Sequence, residues 1–254
     1  MLWIRSFEMI VDRKEFLGLL TKTFEANGMT DLLDGEKSDR LYSLTVRLLE
    51  ENKKYNLTAI TDLPRVVLNH YADSAVLCAY IPQGAKIADI GCGAGFPSLP
   101  LAILRSDLHI TAIDSTAKRI NYVNDTAAML GLDNIVGVAM RAEDGGQNPI
   151  YRESFDVCTA RAVAQMRILC ELCLPYVKVG GEFIAMKGPS AADENKDAEN
   201  AIRILGGKLT DVKEILLTDG ADDKINHPLV FVKKVREVPK EYPRQYARIL
   251  KKPL

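Results

Sequence analysis

Histidine is scarce in this 254-residue chain, and its three copies, His70, His109 and His227, are scattered. Their spacing offers no histidine cluster for a metal and no histidine–carboxylate pair for general-base chemistry, so no metal is expected. The five cysteines lack zinc-ligand spacing, and their odd count fits a reducing, cytoplasmic setting. Cys170 and Cys173 fall in an apolar helical pattern with no histidine beside them, which reads as buried thiols. No apolar run reaches membrane-spanning length, and the start lacks the continuous apolar core of a signal peptide, so no membrane partner is expected. The net charge is only −1, so a nucleic-acid partner must be argued from local patches. What is present is ordinary for a soluble globular protein: 47% hydrophobic and 26% charged residues, and the length suits one large domain or one plus a small appendage.

The informative stretch is Lys86–Pro97. Ile87, Ala88 and Ile90 form a short apolar run between turn residues, as a strand buried on both faces of a parallel sheet does. Gly91, Gly93 and Gly95 follow at alternate positions, and Leu99, Leu101, Ala102, Ile103 and Leu104 then open a helix. A strand, a glycine-rich turn and a helix start make a nucleotide-sized site. The spacing is G-x-G-x-G, and Phe96 stands where a dinucleotide fingerprint has its third glycine. No Lys-Ser or Lys-Thr pair makes it a P-loop. Asp89, two residues before Gly91, would repel a pyrophosphate but suits a cationic ligand carrying an amino group, such as S-adenosylmethionine.

A second acid, Asp114, ends the strand His109–Ile113, 23 residues after Gly91. That is where a ribose diol is held by paired hydrogen bonds; the competing role is to cap the helix near Ser115. Past the third strand, Glu143 is placed either to accept from an adenine amino group or to decorate a turn. Past the fourth, Arg161 is placed to clamp a phosphate or a guanine edge, or to form a salt bridge.

Residues 1–80 read as helical, with Met9 an alternative start. Phe16, Leu19, Leu20 and Phe24 stripe one helix over Val11–Ala26. Leu41, Leu44, Val46, Leu48 and Leu49 mark a second. Val66, Val67, Tyr71, Ala75, Val76 and Leu77 mark a third, entered through Asp62 and Pro64. Between the second and third, Asn52–Thr61 is polar, basic and aromatic, and reads as a surface loop that either faces an anion or merely connects. From Pro82 strands alternate with helices: Lys86–Ile90, His109–Ile113, Ile135–Ala139, Phe155–Ala160, Glu182–Met186 after a Gly180-Gly181 turn, Ile215–Leu217 and Leu229–Val235, with helical stretches at 116–130 and 162–177. The pattern predicts a doubly wound, mostly parallel, seven-stranded α/β sheet with its ligand at the carboxyl ends of the strands. The expected division is a helical region 1–80, an α/β domain 81–236 and a tail 237–254. From Lys233 to Leu254 there are eight basic residues against two acids, with Tyr242 and Tyr246 interleaved. That suits an RNA backbone or a solvated terminus.

Six motifs in order, from about residue 12 to the end, carry a resemblance. They are Asn56-Leu57-Thr58-Ala59-Ile60, Gly91–Pro97, Asp114-Ser115 with Lys118-Arg119, Arg141-Ala142-Glu143, Thr159–Val163, and Tyr242-Pro243-Arg244 with Lys252-Pro253-Leu254. Together they resemble the bacterial 16S rRNA guanine-N7 methyltransferases once called glucose-inhibited division protein B. The resemblance implies a Rossmann-like methyltransferase sheet, S-adenosylmethionine as donor, and one guanine of 16S rRNA near the decoding site, in free rRNA or in the 30S particle. A monomer is the default. It places Gly91, Phe96, Ala142 and Glu143 at the cofactor, beside Asp89, Gly93, Gly95 and Asp114. Arg161 stands at the cofactor–substrate boundary as the catalytic candidate, and Asn56, Lys118, Arg119, Arg161 and Arg244 as substrate contacts. Two stretches depart from the family: Gln245–Leu250 replaces a glycine- and proline-containing turn, and Asn226-His227 stands where an arginine is usual.

Guanine N7 carries a free lone pair, so its methylation removes no proton during attack, and no dedicated base is expected. Phe96 or Tyr55 is placed to stack on a base, Phe96 equally to pack on the cofactor. The alternatives are a methyltransferase of a small molecule or protein, which needs no polyanion contacts, and a nucleotide-binding module without chemistry.

Overall fold

A computed structural model describes residues 11–161, 164–188 and 191–254. Both starts, Met1 and Met9, and Ala162 and Val163 of the fourth-strand motif lie outside the described residues.

Helix α1 (Arg13–Ala26) begins where the Asp12 carboxylate accepts from the Glu15 amide, and it buries Phe16, Leu20 and Phe24 at helical spacing. Helix α2 (Gly35–Tyr55) is capped in the same way by Asp34 and buries Leu41, Leu44 and Leu48. It ends on Asn56, whose left-handed backbone (φ 49°) stops the helix. Residues 52–55 of the expected loop are thus the last turn of α2, and only 56–61 connect. Helix α3 (Leu63–Val66), entered through Asp62 and Pro64, runs on through a π-helical turn (Val67–Ala72), an α-turn (Asp73–Ala75) and a 3-10 turn (Val76–Ala79).

The sheet comprises β1 (Lys86–Ile90), β2 (His109–Asp114), β3 (Ile135–Ala139), β4 (Phe155–Arg161), β5 (Val177–Met186), β6 (Gly207–Lys213) and β9 (Leu229–Lys234), in the order β3-β2-β1-β4-β5-β9-β6. Strands β1 to β5 pair in parallel, and β9 lies antiparallel between β5 and β6. Helices α4 (Ser98–Leu104), α5 (Ala117–Leu130), α6 (Ala142–Gln147), α7 (Met166–Cys173) and α8 (Ala191–Ile204) connect them.

Two expectations need correction. Ile215–Leu217 does not join this sheet: β7 (Leu216–Thr218) pairs with β8 (Lys224–Asn226) in a separate hairpin, and the sheet's remaining strand is Gly207–Lys213, at the edge beside β9. The Asn27 side chain bonds both backbone groups of Thr218, so the hairpin is tied to the end of α1. The Gly180-Gly181 pair lies inside β5, not before it. The register slips there, and a Cβ on Gly181 would stand 2.6 Å from the Asp156 carbonyl.

Strand side chains alternate between two cores. Ile87, Ile110, Val157 and Ile184 pack with α1, α2, α4 and α5 on one face; Ala88, Ile90, Cys158, Phe183 and Val232 pack with α7 and α8 on the other. Last comes α9 (Tyr246–Lys251), its Ile249 fully buried in the second core. Among the described residues no helix is long and apolar enough to cross a membrane.

Candidate cofactor and substrate site

Strand order reverses at β1, whose neighbours are β2 and β4, so a crevice opens at the carboxyl ends there. The glycine turn closes it from behind. The amides of Gly91 and Cys92 donate to the Ile113 carbonyl at 2.8 and 3.1 Å, and the Gly93 amide donates to Asp114 Oδ2 at 3.1 Å. Gly95 adopts φ +82°, and a Cβ there would meet Leu99 Cδ1 at 2.5 Å. Gly95 therefore seats α4 against the turn, the packing role a third glycine serves in dinucleotide loops.

Asp89 is buried, and only one of its oxygens is used, accepting from the Ser98 hydroxyl. Its Oδ1 has no partner among the described residues. Burial, against the pull of Ser98 and of the Arg161 charge, pushes its carboxyl up to about 6. Asp114 is buried at the end of β2. Its Oδ1 accepts from the Thr116 amide at 2.8 Å ahead of α5, while Oδ2 meets the Gly93 amide and Arg119 at 3.5 Å. Glu143, in the first turn of α6, is buried and accepts from Arg141 Nε at 2.6 Å. The Ala142 carbonyl accepts from the Tyr176 hydroxyl, and a Cβ on Gly145 would stand 2.1 Å from that oxygen, so α6 is pressed onto the core.

Gly91, Asp114, Arg119, Ala142, Glu143 and Arg161 line one cavity of about 350 Å³, within the range of small-molecule sites. At its β4 wall Arg161 is held from several sides. Its Nη1 donates to the Asn69 carbonyl at 2.7 Å and to Asp73 Oδ2 at 3.1 Å, and its guanidinium lies 5.4 Å from the Phe96 ring centroid. Phe96 is buried, and its ring stacks on His70 at 4.2 Å. Burial and the Arg161 charge push the His70 imidazole down to about 3, so it stays neutral near pH 7. His70 Nε2 lies 3.1 Å from Thr58 Oγ1, and Asn52 holds Thr58 through two backbone bonds. Thr58 of the Asn56–Ile60 motif thus supports the Arg161 wall through His70, while Asn56 itself is the exposed helix stop.

The substrate candidates divide. Lys118 and Arg119 are exposed at the start of α5, and Arg119 reaches the cavity; Tyr55 is exposed at the end of α2. Arg244 is internal: its backbone amide, Nε and Nη2 all donate to the fully buried Glu171, at 2.9, 2.8 and 2.6 Å. It anchors the tail, which corrects its assignment as a substrate contact. Lys234 likewise is sealed against Glu153 and two carbonyls. The histidines are also less scattered than their spacing suggests, since His227 Nδ1 stands 3.0 Å from Asp73 Oδ1. Asp73, His70, Ser98 and Tyr246 complete the site or its wall and were missed. Tyr246 left a trace as an aromatic residue interleaved in the basic tail.

The rRNA small subunit methyltransferase G family (GidB) matches residues 37–220. The chain is 44% identical over 244 residues to the ribosomal RNA small subunit methyltransferase G of Clostridium beijerinckii, covering 94% of this chain and 99% of that one. It is 49% identical over 212 residues to the protein of the same name from Lactobacillus johnsonii, covering 82% and 87%. Among solved structures, a SAM-dependent methyltransferase from Aquifex aeolicus superposes with a TM-score of 0.50 at 20% identity, covering 74% of this chain and 98% of that one. That likeness concerns the fold.

Proposed function

The chain belongs to the rRNA small subunit methyltransferase G family, and on that premise we propose that it transfers a methyl group from S-adenosylmethionine to N7 of one guanine of 16S rRNA, near the decoding site. It acts in the cytoplasm as a monomer, on free rRNA or the 30S particle. One observation carries the cofactor reading. Three acids, Asp89, Asp114 and Glu143, stand at the carboxyl ends of three adjacent strands or just beyond them, and the first keeps a buried oxygen without a partner among the described residues.

The residues fit that donor. An uncompensated buried carboxylate oxygen is costly by itself and is relieved by a cationic partner. Asp89 is the group for the donor's positive end, Asp114 for the ribose hydroxyls, and Glu143 for an exocyclic amine. When bound, S-adenosylmethionine supplies an electrophilic methyl group on a sulfonium. The chain's own work is positioning, because N7 attacks with a free lone pair and releases no proton in that step. Good orientation is worth roughly 7–11 kcal/mol of barrier. Arg161 is built for it: Asn69 and Asp73 hold its guanidinium in advance, and its planar donors match the acceptors of a guanine edge or a phosphate. N7 lies in the deep major groove of A-form RNA, so the target guanine must be looped out or splayed. Exposed Lys118, Arg119 and Tyr55 are the contacts for that RNA.

The test is transfer of labelled methyl to 16S rRNA and to 30S particles from cells lacking this protein, mapped by N7-specific strand cleavage. One labelled guanine is the expected result. Binding of the donor with neither substrate labelled would move the reading to a small-molecule or protein acceptor.

A further inference from the structure

The basic C-terminal tail reads in the sequence as an RNA contact or a solvated terminus, but the structure runs it along the cofactor cavity. It is fastened at five points. Arg244 is bound to Glu171, Arg152 donates to the Tyr242 carbonyl at 2.8 Å, and Gln147 donates to the Pro243 carbonyl at 3.0 Å. Pro243 packs so closely on α6 that a Cβ on Gly146 would stand 2.8 Å from its Cγ, and Ile249 is fully buried. Two residues beyond Arg244, Tyr246 joins the cavity wall with Met140, Ala142 and Glu143. Arg141 lies 5.6 Å from its ring centroid while donating to Glu143, so the tail ring, the cation and the acid form one connected unit.

Resting on the donor assignment above, we infer that Tyr246 is a cofactor-binding residue, and that the tail closes the purine end of the cavity. The cavity orders its groups from Gly91 at β1 through Asp114 at β2 to Glu143 past β3. With the ribose at Asp114, the group beyond it is the purine. A purine is an aromatic surface with an amine edge, and this end of the cavity offers an aromatic ring, the apolar Met140 and Ala142, and an acid. Arg248 and Lys251 stay exposed on the same short helix, and Lys252 just beyond it, which leaves the tail a cationic outer face.

The experiment measures binding of S-adenosylhomocysteine and of 5′-methylthioadenosine, which keeps the purine and ribose but lacks the amino acid. Tyr246→Ala should weaken both by the same factor, roughly tenfold, the scale of one aromatic–base stack. Tyr246→Phe should bind both as wild type does. Amides of residues 247–251 in the wild type should exchange more slowly with S-adenosylhomocysteine present, a readout that needs no variant. Unchanged affinity in Tyr246→Ala, or no added protection of those amides, overturns the inference and leaves the donor assignment standing. Failure of the wild type to bind either ligand overturns both.

Discussion

Replacing Asp89 by asparagine should move stability and cofactor affinity in opposite directions. The native carboxyl titrates near 6 because it is buried, against an ordinary value of 3.8. Between those values the folded protein holds a proton that the unfolded chain has released, so this group's contribution to stability falls as pH rises. Integrated from about pH 4.5 to about pH 7.5, the wild type loses about 2 kcal/mol through this residue. Asp89 is almost fully buried, so solvent screening takes little from that figure. Asp89→Asn keeps the shape and cannot ionise. Relative to wild type it should therefore gain about 2 kcal/mol across that range, a rise of roughly 4–8 °C in relative melting temperature for a chain of this size. The same change should weaken S-adenosylmethionine binding by roughly 30-fold at neutral pH, the scale of a lost charge-assisted hydrogen bond. Thermal melts of the cofactor-free proteins at the two pH values and calorimetric titration with S-adenosylmethionine read both effects. A variant whose stability tracks wild type across pH, or which binds the donor unimpaired, refutes the role of the unpartnered Oδ1.

Gly95→Ala should cost about 2–3 kcal/mol in urea unfolding, since its Cβ enters Leu99 at a backbone angle that strains alanine; a cost below about 0.5 kcal/mol would contradict the packing described. Arg244→Ala should cost about 3 kcal/mol by stranding the buried Glu171, while the salt dependence of RNA binding stays as in wild type. The reverse pattern would restore Arg244 as a phosphate contact. Lys118→Ala should do the opposite, leaving unfolding unchanged and lowering the slope of log affinity against log salt by about one. An unchanged slope removes Lys118 from the RNA surface.

Local periodicity and turn chemistry were enough to read the strand–glycine turn–helix unit, the five parallel strands and the acids beyond β1, β2 and β3. Each of those signals spans fewer than a dozen neighbouring residues. The Asp62 cap was similarly local. The strand pattern pointed to Ile215–Leu217 for the sixth strand and passed over Gly207–Lys213, because pairing with β9, which no local pattern shows, decides which segment joins the sheet. It could not separate Arg244 and Lys234 from the exposed cations of the tail, because a basic residue looks the same whether Glu171 or Glu153 waits beneath it. Nor could it bring Asp73, His227 and Arg161 together, or set Tyr246 beside Glu143. Those residues are distant in the chain, and only the packing of several elements at once fixes which of them meet. The cofactor half of the site was thus written locally, in one turn and three strand ends. The Arg161 wall and the tail that closes the cavity were assembled only when the helical region and the C-terminus packed against the sheet.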